Sequence, residues 1–197
     1  GVAFFFLEPG FHTHDTPAPE EFRLDLGAMG ISATLANLAA LSMLVLLAGF
    51  VSGDRRQGYY RMYFSHPTRP LAFYGLRWLM GLLLAMLAAA VFLVVGQWAA
   101  WGRVEGGWSG LYLALLAAIA YGGMIAFLSV ALLRGDAWVA LVLFLLNYFW
   151  LQAVAMGAQP LPPLLNDAVS LLLPPQLALS DVYDGLIRGE IVWGASA

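Results

Sequence analysis

Residues 79–101 read LMGLLLAMLAAAVFLVVGQWAAW, a run of 23 residues without one charged side chain. A helix needs about 20 mainly apolar residues to cross the roughly 30 Å hydrocarbon core of a membrane. The whole chain is 61% hydrophobic and 11% charged, whereas soluble domains average about 45–50% and 25%. The sequence therefore predicts a membrane protein. Because backbone polar groups in lipid need partners within their own segment, we expect the run to be helical.

Three further apolar stretches flank this run, at residues 31–51, 111–133 and 137–156. Together the four predict an all-α polytopic membrane protein, a helical bundle in a single transmembrane domain over residues 1–197. The chain begins and ends in apolar sequence, so we expect one more span at each end and six in the full-length protein. Residues 158–190 carry five prolines and only a short apolar run, which predicts an interfacial segment on the outer side.

The connection at residues 52–78 carries five of the nine basic residues, all of them arginine, and one acid, Asp54. Basic loops stay on the cytoplasmic side, so we expect this loop in the cytoplasm and a multi-pass protein in the inner (plasma) membrane. On a single helix, Asp54, Gly58, Arg61 and Ser65 would share one face. Physical reasoning leaves two interpretations equally open: a loop that sets topology and contacts anionic lipid, or an element that docks a partner.

The same loop resembles the connection between the second and third spans of type-2 ABC-transporter permeases. That family has an acidic residue, a glycine four positions on, a Ser-x-Pro, and a basic residue before the next span. These positions hold Asp54, Gly58, Ser65-His66-Pro67 and Arg77 here, without a gap in the spacing. Tyr59 stands where the family has threonine, and the following residues are aromatic rather than aliphatic.

The resemblance implies that the loop forms a coupling helix, which binds a cytoplasmic ABC ATPase subunit and transmits its ATP-driven closure to the spans. It implies partner contacts by Asp54, Arg55, Arg56, Gly58, Tyr59, Arg61, Ser65 and Pro67. It also implies a second permease copy or homologue as a dimer partner, and an exporter. ATP and Mg would belong to the ATPase, because a phosphate-binding Gly-x-x-x-x-Gly-Lys motif needs a lysine and this chain has none. We therefore expect no catalytic site and no bound cofactor.

Amide side chains interrupt the predicted spans at Asn37, Asn147 and Gln152. They could line a substrate path or form hydrogen bonds between helices, and the second role is the more frequent. Small residues recur at four-residue spacing around Gly81 and Gly122, which favours close helix packing within the chain or across a dimer.

Other classes of function have less support. His12-Thr13-His14-Asp15 has the residue types of a small metal site, but a loop near two prolines fixes ligands poorly, so we expect no metal. A net charge of −3 argues against nucleic-acid binding. The alternative to a permease is a non-transporting structural or assembly subunit of a larger membrane complex.

Overall fold

The computed structural model describes residues 20–155 apart from 60, 62–64, 66–68, 105, 106 and 133, with side chains described between 31 and 150 except at those positions and at 100 and 101. Its helices are α1 (Glu20–Leu46), α2 (Ser52–Gln57), α3 (Pro70–Trp101), α4 (Gly110–Ala131) and α5 (Asp136–Ala155). No strand occurs among the described residues, which confirms the all-α prediction for this part of the chain. The predicted interfacial segment at 158–190 lies outside the described residues.

By length and composition, two helical stretches can cross a membrane: Pro70–Ala99, with a mean hydropathy of 2.7, and Gly110–Ala131, with 2.2. Only 28% and 39% of their most apolar windows are buried, whereas the core helix of a soluble protein would be mostly buried. The apolar parts of the two flanking helices, Ile31–Leu46 and Asp136–Trp150, are shorter. The count of four spans stays a prediction.

The first predicted span ends earlier than expected. Its helix α1 stops at Leu46 rather than at Val51, and residues 47–50 form a turn. Gly49 has a φ of 69°, a left-handed conformation that glycine adopts without the steric cost of a Cβ. The backbone N–H of Phe50 donates to the Leu47 carbonyl at 2.9 Å and closes the turn.

The loop after this turn differs from a single long helix. Helix α2 ends at Gln57, because Gly58 takes a left-handed φ of 76° and caps the helix. Tyr59 and Arg61 are again helical, but the reversal at Gly58 breaks the common face that a helix from Asp54 to Ser65 would have had.

Helix α3 begins at Pro70, nine residues before the predicted start of its span at 79. Proline suits the first turn of a helix because its missing N–H has no partner there anyway. Phe73, Tyr74 and Arg77 consequently lie on the first two turns of α3.

The chain divides into two compact units. The first contains the described residues 20–42 and Leu83–Ala118, and its small residue Gly110 lies against Ser32 and Leu35. The second, which we call the loop unit, contains Met43–Leu82 and 119–155 and holds the arginine-rich connection. That the chain is a single transmembrane domain stays a prediction.

Two glycines of the loop unit allow close packing of side chains from other parts of that unit. Gly81 of α3 lies against the Leu47 and Met43 side chains, and Gly122 of α4 lies against Met43 and Trp78. Of the two roles expected for these small residues, the structure shows the contact within the chain.

Candidate functional site

The candidate site is the short helix α2, whose single acid is held by the start of α3. Arg77 donates from Nη1 to the Asp54 Oδ2 at 3.0 Å, and the Tyr74 hydroxyl donates to the same oxygen at 3.3 Å. Asp54 is only 8% exposed, and a buried carboxylate is stable only when it is paired and hydrogen-bonded. Asp54 therefore anchors α2 to α3 and offers little surface to a partner.

The same guanidinium also holds the turn that leads into α2. Arg77 Nη1 donates to the Phe50 carbonyl at 3.0 Å, and its Cζ lies 5.6 Å from the centroid of the Phe50 ring, within cation–π range. The Phe50 and Tyr74 rings meet edge to face at 5.5 Å. One side chain of α3 thus fixes both the turn and the first turn of α2.

A second anchor comes from α4. The Ser129 Oγ accepts the backbone N–H of Val51 at 2.8 Å and that of Ser52 at 3.0 Å. Ser129 is fully buried and lies 77 residues from Ser52 along the chain. Helix N-termini leave backbone N–H groups without partners in the helix, so this hydroxyl satisfies two donors at the entry to α2.

Arg55 adds a hydrogen bond that α2 donates to α4. Its Nη1 donates to the Val130 carbonyl at 2.8 Å, in the last turn of α4, where carbonyls lack partners within the helix. A positive side chain is favourable there because the C-terminal end of a helix carries partial negative charge. Helix α2 is therefore tied to both α3 and α4.

Part of the connection stays exposed. We call four of its exposed residues the cationic loop face: Arg56, Gln57, Tyr59 and Arg61. Tyr59 is 45% exposed. Because the one acid of the connection is turned inward to Arg77, this face presents positive charge with an aromatic ring beside it. An acidic or amphipathic surface of a partner would complement it.

The residues predicted to contact an ATPase therefore separate by position. Arg55, Arg56, Tyr59, Arg61 and Ser65 are exposed, and Arg55 also donates to the Val130 carbonyl. Asp54 is buried against Arg77, Gly58 ends α2, and Pro67 lies outside the described residues.

Three contributors escaped the sequence interpretation: Phe50, Tyr74 and Ser129. Tyr74 stands one helical turn before Arg77, so knowing that α3 starts at Pro70 would have indicated that both reach the same carboxylate. Ser129 carries no local signal of its role.

The amide residues of the spans have different surroundings. Asn147 is buried, and its Nδ2 donates to the Tyr121 hydroxyl at 2.6 Å between α5 and α4. Asn37 is half-buried on α1, and the Gln152 side chain is not among those described. The contact of Asn147 is an interhelical hydrogen bond, one of the two roles that the sequence left open.

Within the described residues, no group of three or more His, Cys, Asp or Glu side chains could hold a metal. His12 and His14 lie outside the described residues. The comparisons with known proteins give no relative: neither a family model, nor a curated protein, nor a solved structure matches this chain.

Proposed function

We propose that this chain is the membrane-spanning permease subunit of an ATP-driven ABC transporter, an exporter of the inner membrane, with the arginine-rich loop in the cytoplasm. A separate ATPase would bind the cationic loop face, hydrolyse ATP and hold Mg. A second copy or a homologue would complete the transport path.

The membrane location is supported by the exposure of large apolar side chains. Val45 and Phe127 are each 70% exposed and Leu83 is 64% exposed, on three different helices. Leaving such side chains in water costs about 25 cal/mol per Å² of apolar surface, so lipid is their natural surrounding. In this proposal α3 and α4, whose apolar stretches are long enough to cross, are two of the spans, and α1 and α5 contribute the other two through their shorter apolar parts, Ile31–Leu46 and Asp136–Trp150.

The observation that carries the proposal is the anchoring of α2. A coupling element must bind a partner on one side and be firmly attached to spans on the other. The 3.0 Å contact between Asp54 and Arg77 supplies the attachment to α3, and the Arg56 and Arg61 side chains are exposed, on that helix and on its continuation. The family-like spacing of Asp54, Gly58 and Arg77 adds to this argument.

The proposed mechanism is alternating access. ATP binding closes the two ATPases, and each draws the loop face with it. The Asp54–Arg77 pair passes that displacement to α3, and the packing between permease copies shifts from an inward-open to an outward-open state. ATP acts by changing the populations of two pre-existing arrangements.

Co-purification with the ATPase encoded nearest to this chain tests the proposal. Arg56→Glu together with Arg61→Glu reverses the charge of the loop face, and we expect the ATPase to be lost from the purified complex. Arg103→Glu is the matched control, because it reverses an exposed arginine in the connection after α3. An ATPase that binds the parent and the double variant equally, or neither, would refute the proposed docking face.

The competing function is the structural subunit of a larger membrane complex. In that case the partner captured by the loop face would have no ATP-binding motif, and its binding would not depend on nucleotide. The same purification therefore separates the two functions.

A further inference from the structure

We propose that Ser129 is a positioning residue that joins α2 to the end of α4, so that these two helices move as one body. The joint goes beyond the proposed function, because its contacts lie within the chain and exist with or without an ATPase. Only the source of the force on α2 rests on that function.

In this joint, a side chain of α4 caps the start of α2, and a side chain of α2 caps the end of α4. Val51 stands at the N-cap of α2, where its side chain makes no capping hydrogen bond, as expected of a side chain without a polar atom. The Ser129 hydroxyl accepts from two backbone N–H groups in place of a local cap. In return, Arg55 of α2 donates to the Val130 carbonyl in the last turn of α4. Ser129 thus satisfies N–H groups at the start of α2, and Arg55 satisfies a carbonyl at the end of α4, where the helices themselves supply no partner.

Because the contact at Ser129 is buried, separating α2 from α4 is energetically unfavourable. Ser129 is fully buried and Ser52 is 4% exposed, so water does not readily replace the lost partner if the helices separate. An unsatisfied buried donor is unfavourable. Sliding of α2 along α4 would leave the buried Ser52 donor and the part-buried Val51 donor without their partner at once. The low-energy movement is therefore one in which both helix ends travel together.

The consequence is a second route for displacement. The Asp54–Arg77 pair links α2 to α3, and the Ser129 joint links it to α4. A force on the cationic loop face then reaches two predicted spans from a helix of only six residues. Helix α2 would therefore move together with both α3 and α4 instead of moving independently of them.

A distance measurement by electron spin resonance tests the joint in the full-length chain in lipid nanodiscs. The chain contains no cysteine, so Gln57→Cys and Ala131→Cys place nitroxides only on α2 and at the last residue of α4. Both positions are exposed. We expect one narrow distance in the parent and its loss in Ser129→Ala. Amide exchange at Val51 and Ser52 should become about tenfold faster in that variant.

Matched variants separate positioning from simple stabilisation. Ser129→Thr keeps the hydroxyl and should restore the narrow distance, and Ser42→Ala on α1 should leave it unchanged. Arg55→Met removes the donor of the other half of the joint at an exposed position and should broaden the distance even if Ser129→Ala fails to fold. A narrow distance that is unchanged in Ser129→Ala and Arg55→Met, whatever their unfolding temperatures, would overturn the joint. Because no ATPase is present, this result is independent of the outcome of the co-purification.

Discussion

The guanidinium of Arg77 lies 3.0 Å from the Asp54 carboxylate, and the same nitrogen lies 3.0 Å from the Phe50 carbonyl. One side chain at the start of α3 therefore fixes the helix that carries the exposed arginines and the turn that precedes it. The side chain of Arg77 is 41% exposed and that of Asp54 is 11% exposed, so the pair is partly shielded from water. Such pairs are stronger than exposed ones.

A double-mutant cycle measures this pair. We expect Asp54→Asn and Arg77→Gln each to destabilise the protein, and their combination to cost less than the sum, because the second change removes a partner that is already lost. Contacting residues of this kind couple by about 0.5–3 kcal/mol. Chemical unfolding in detergent of the parent, both single variants and the double variant gives the coupling energy. Strict additivity would show that the two groups do not interact.

The second prediction concerns the stability of alanine variants at Gly122 and Gly123 of α4. A Cβ at Gly122 would displace the Met43 methyl group and stand 3.0 Å from Trp78 Nε1, so we expect Gly122→Ala to be less stable than the matching change at Gly123 by about 1 kcal/mol. The neighbouring Gly123 has nothing within 4 Å of its added Cβ. Gly123→Ala should raise stability by about 0.5–1 kcal/mol, because alanine favours the helix.

This pair of adjacent glycines is its own control, measured as unfolding midpoints in one detergent. Met43→Ala should itself lower stability, because Met43 is fully buried, but it should cost less in the Gly122→Ala background, since it removes the overlapping methyl group. Equal midpoints for the two alanine variants would contradict the packing of α4 described here.

Variants of Asn147 and Tyr121 can distinguish the two roles open to the Asn147 amide, a bond between helices and a place in a substrate path. Tyr121→Phe and Asn147→Ala each remove the 2.6 Å contact, and interhelical bonds in membranes average about 0.6 kcal/mol. If the amide only joins the helices, both variants should lower stability by a similar amount and change transport alike. A transport defect confined to Asn147→Ala would instead assign the amide to a substrate path.

The side of the membrane that each loop occupies can be read by cysteine labelling. In the cysteine-free chain, Gln57→Cys should react with a membrane-impermeant maleimide only after cells are opened. Val104→Cys, also at an exposed position, should react in intact cells. The expectation follows from the five arginines of the 52–78 connection. The reverse pattern would invert the proposed orientation and remove the loop face from the cytoplasm.

Much of the helical architecture could be predicted from the sequence. The spans expected at 111–133 and 137–156 lie within two residues of α4 (Gly110–Ala131) and one residue of α5 (Asp136–Ala155), because long apolar runs without breakers have few alternatives to a helix. The helices differ from the expected spans near Gly49 and Pro70. Helix α1 stops at Leu46, before a turn in which Gly49 is left-handed, and α3 begins at Pro70, nine residues before the run at 79–101.

The candidate site was only partly predictable for a physical reason. Asp54 and Arg77 were both singled out by spacing, but a spacing pattern does not reveal whether a charge points to a partner or into its own chain. The contacts of Ser129 depend on how α4 packs against the entry to α2. No local pattern encodes a partner 77 residues away.

We propose that the loop carries ATP-driven movement into the spans. A nitroxide at Trp98→Cys, 66% exposed near the end of α3, reports the distance between two copies of the chain in a reconstituted complex with the ATPase. We expect ATP to change this distance in the parent. We also expect Asp54→Asn to lose the change while the ATPase remains bound through Arg56 and Arg61. A parent distance that is indifferent to ATP, or an Asp54→Asn variant that responds as the parent does, would contradict the proposed coupling.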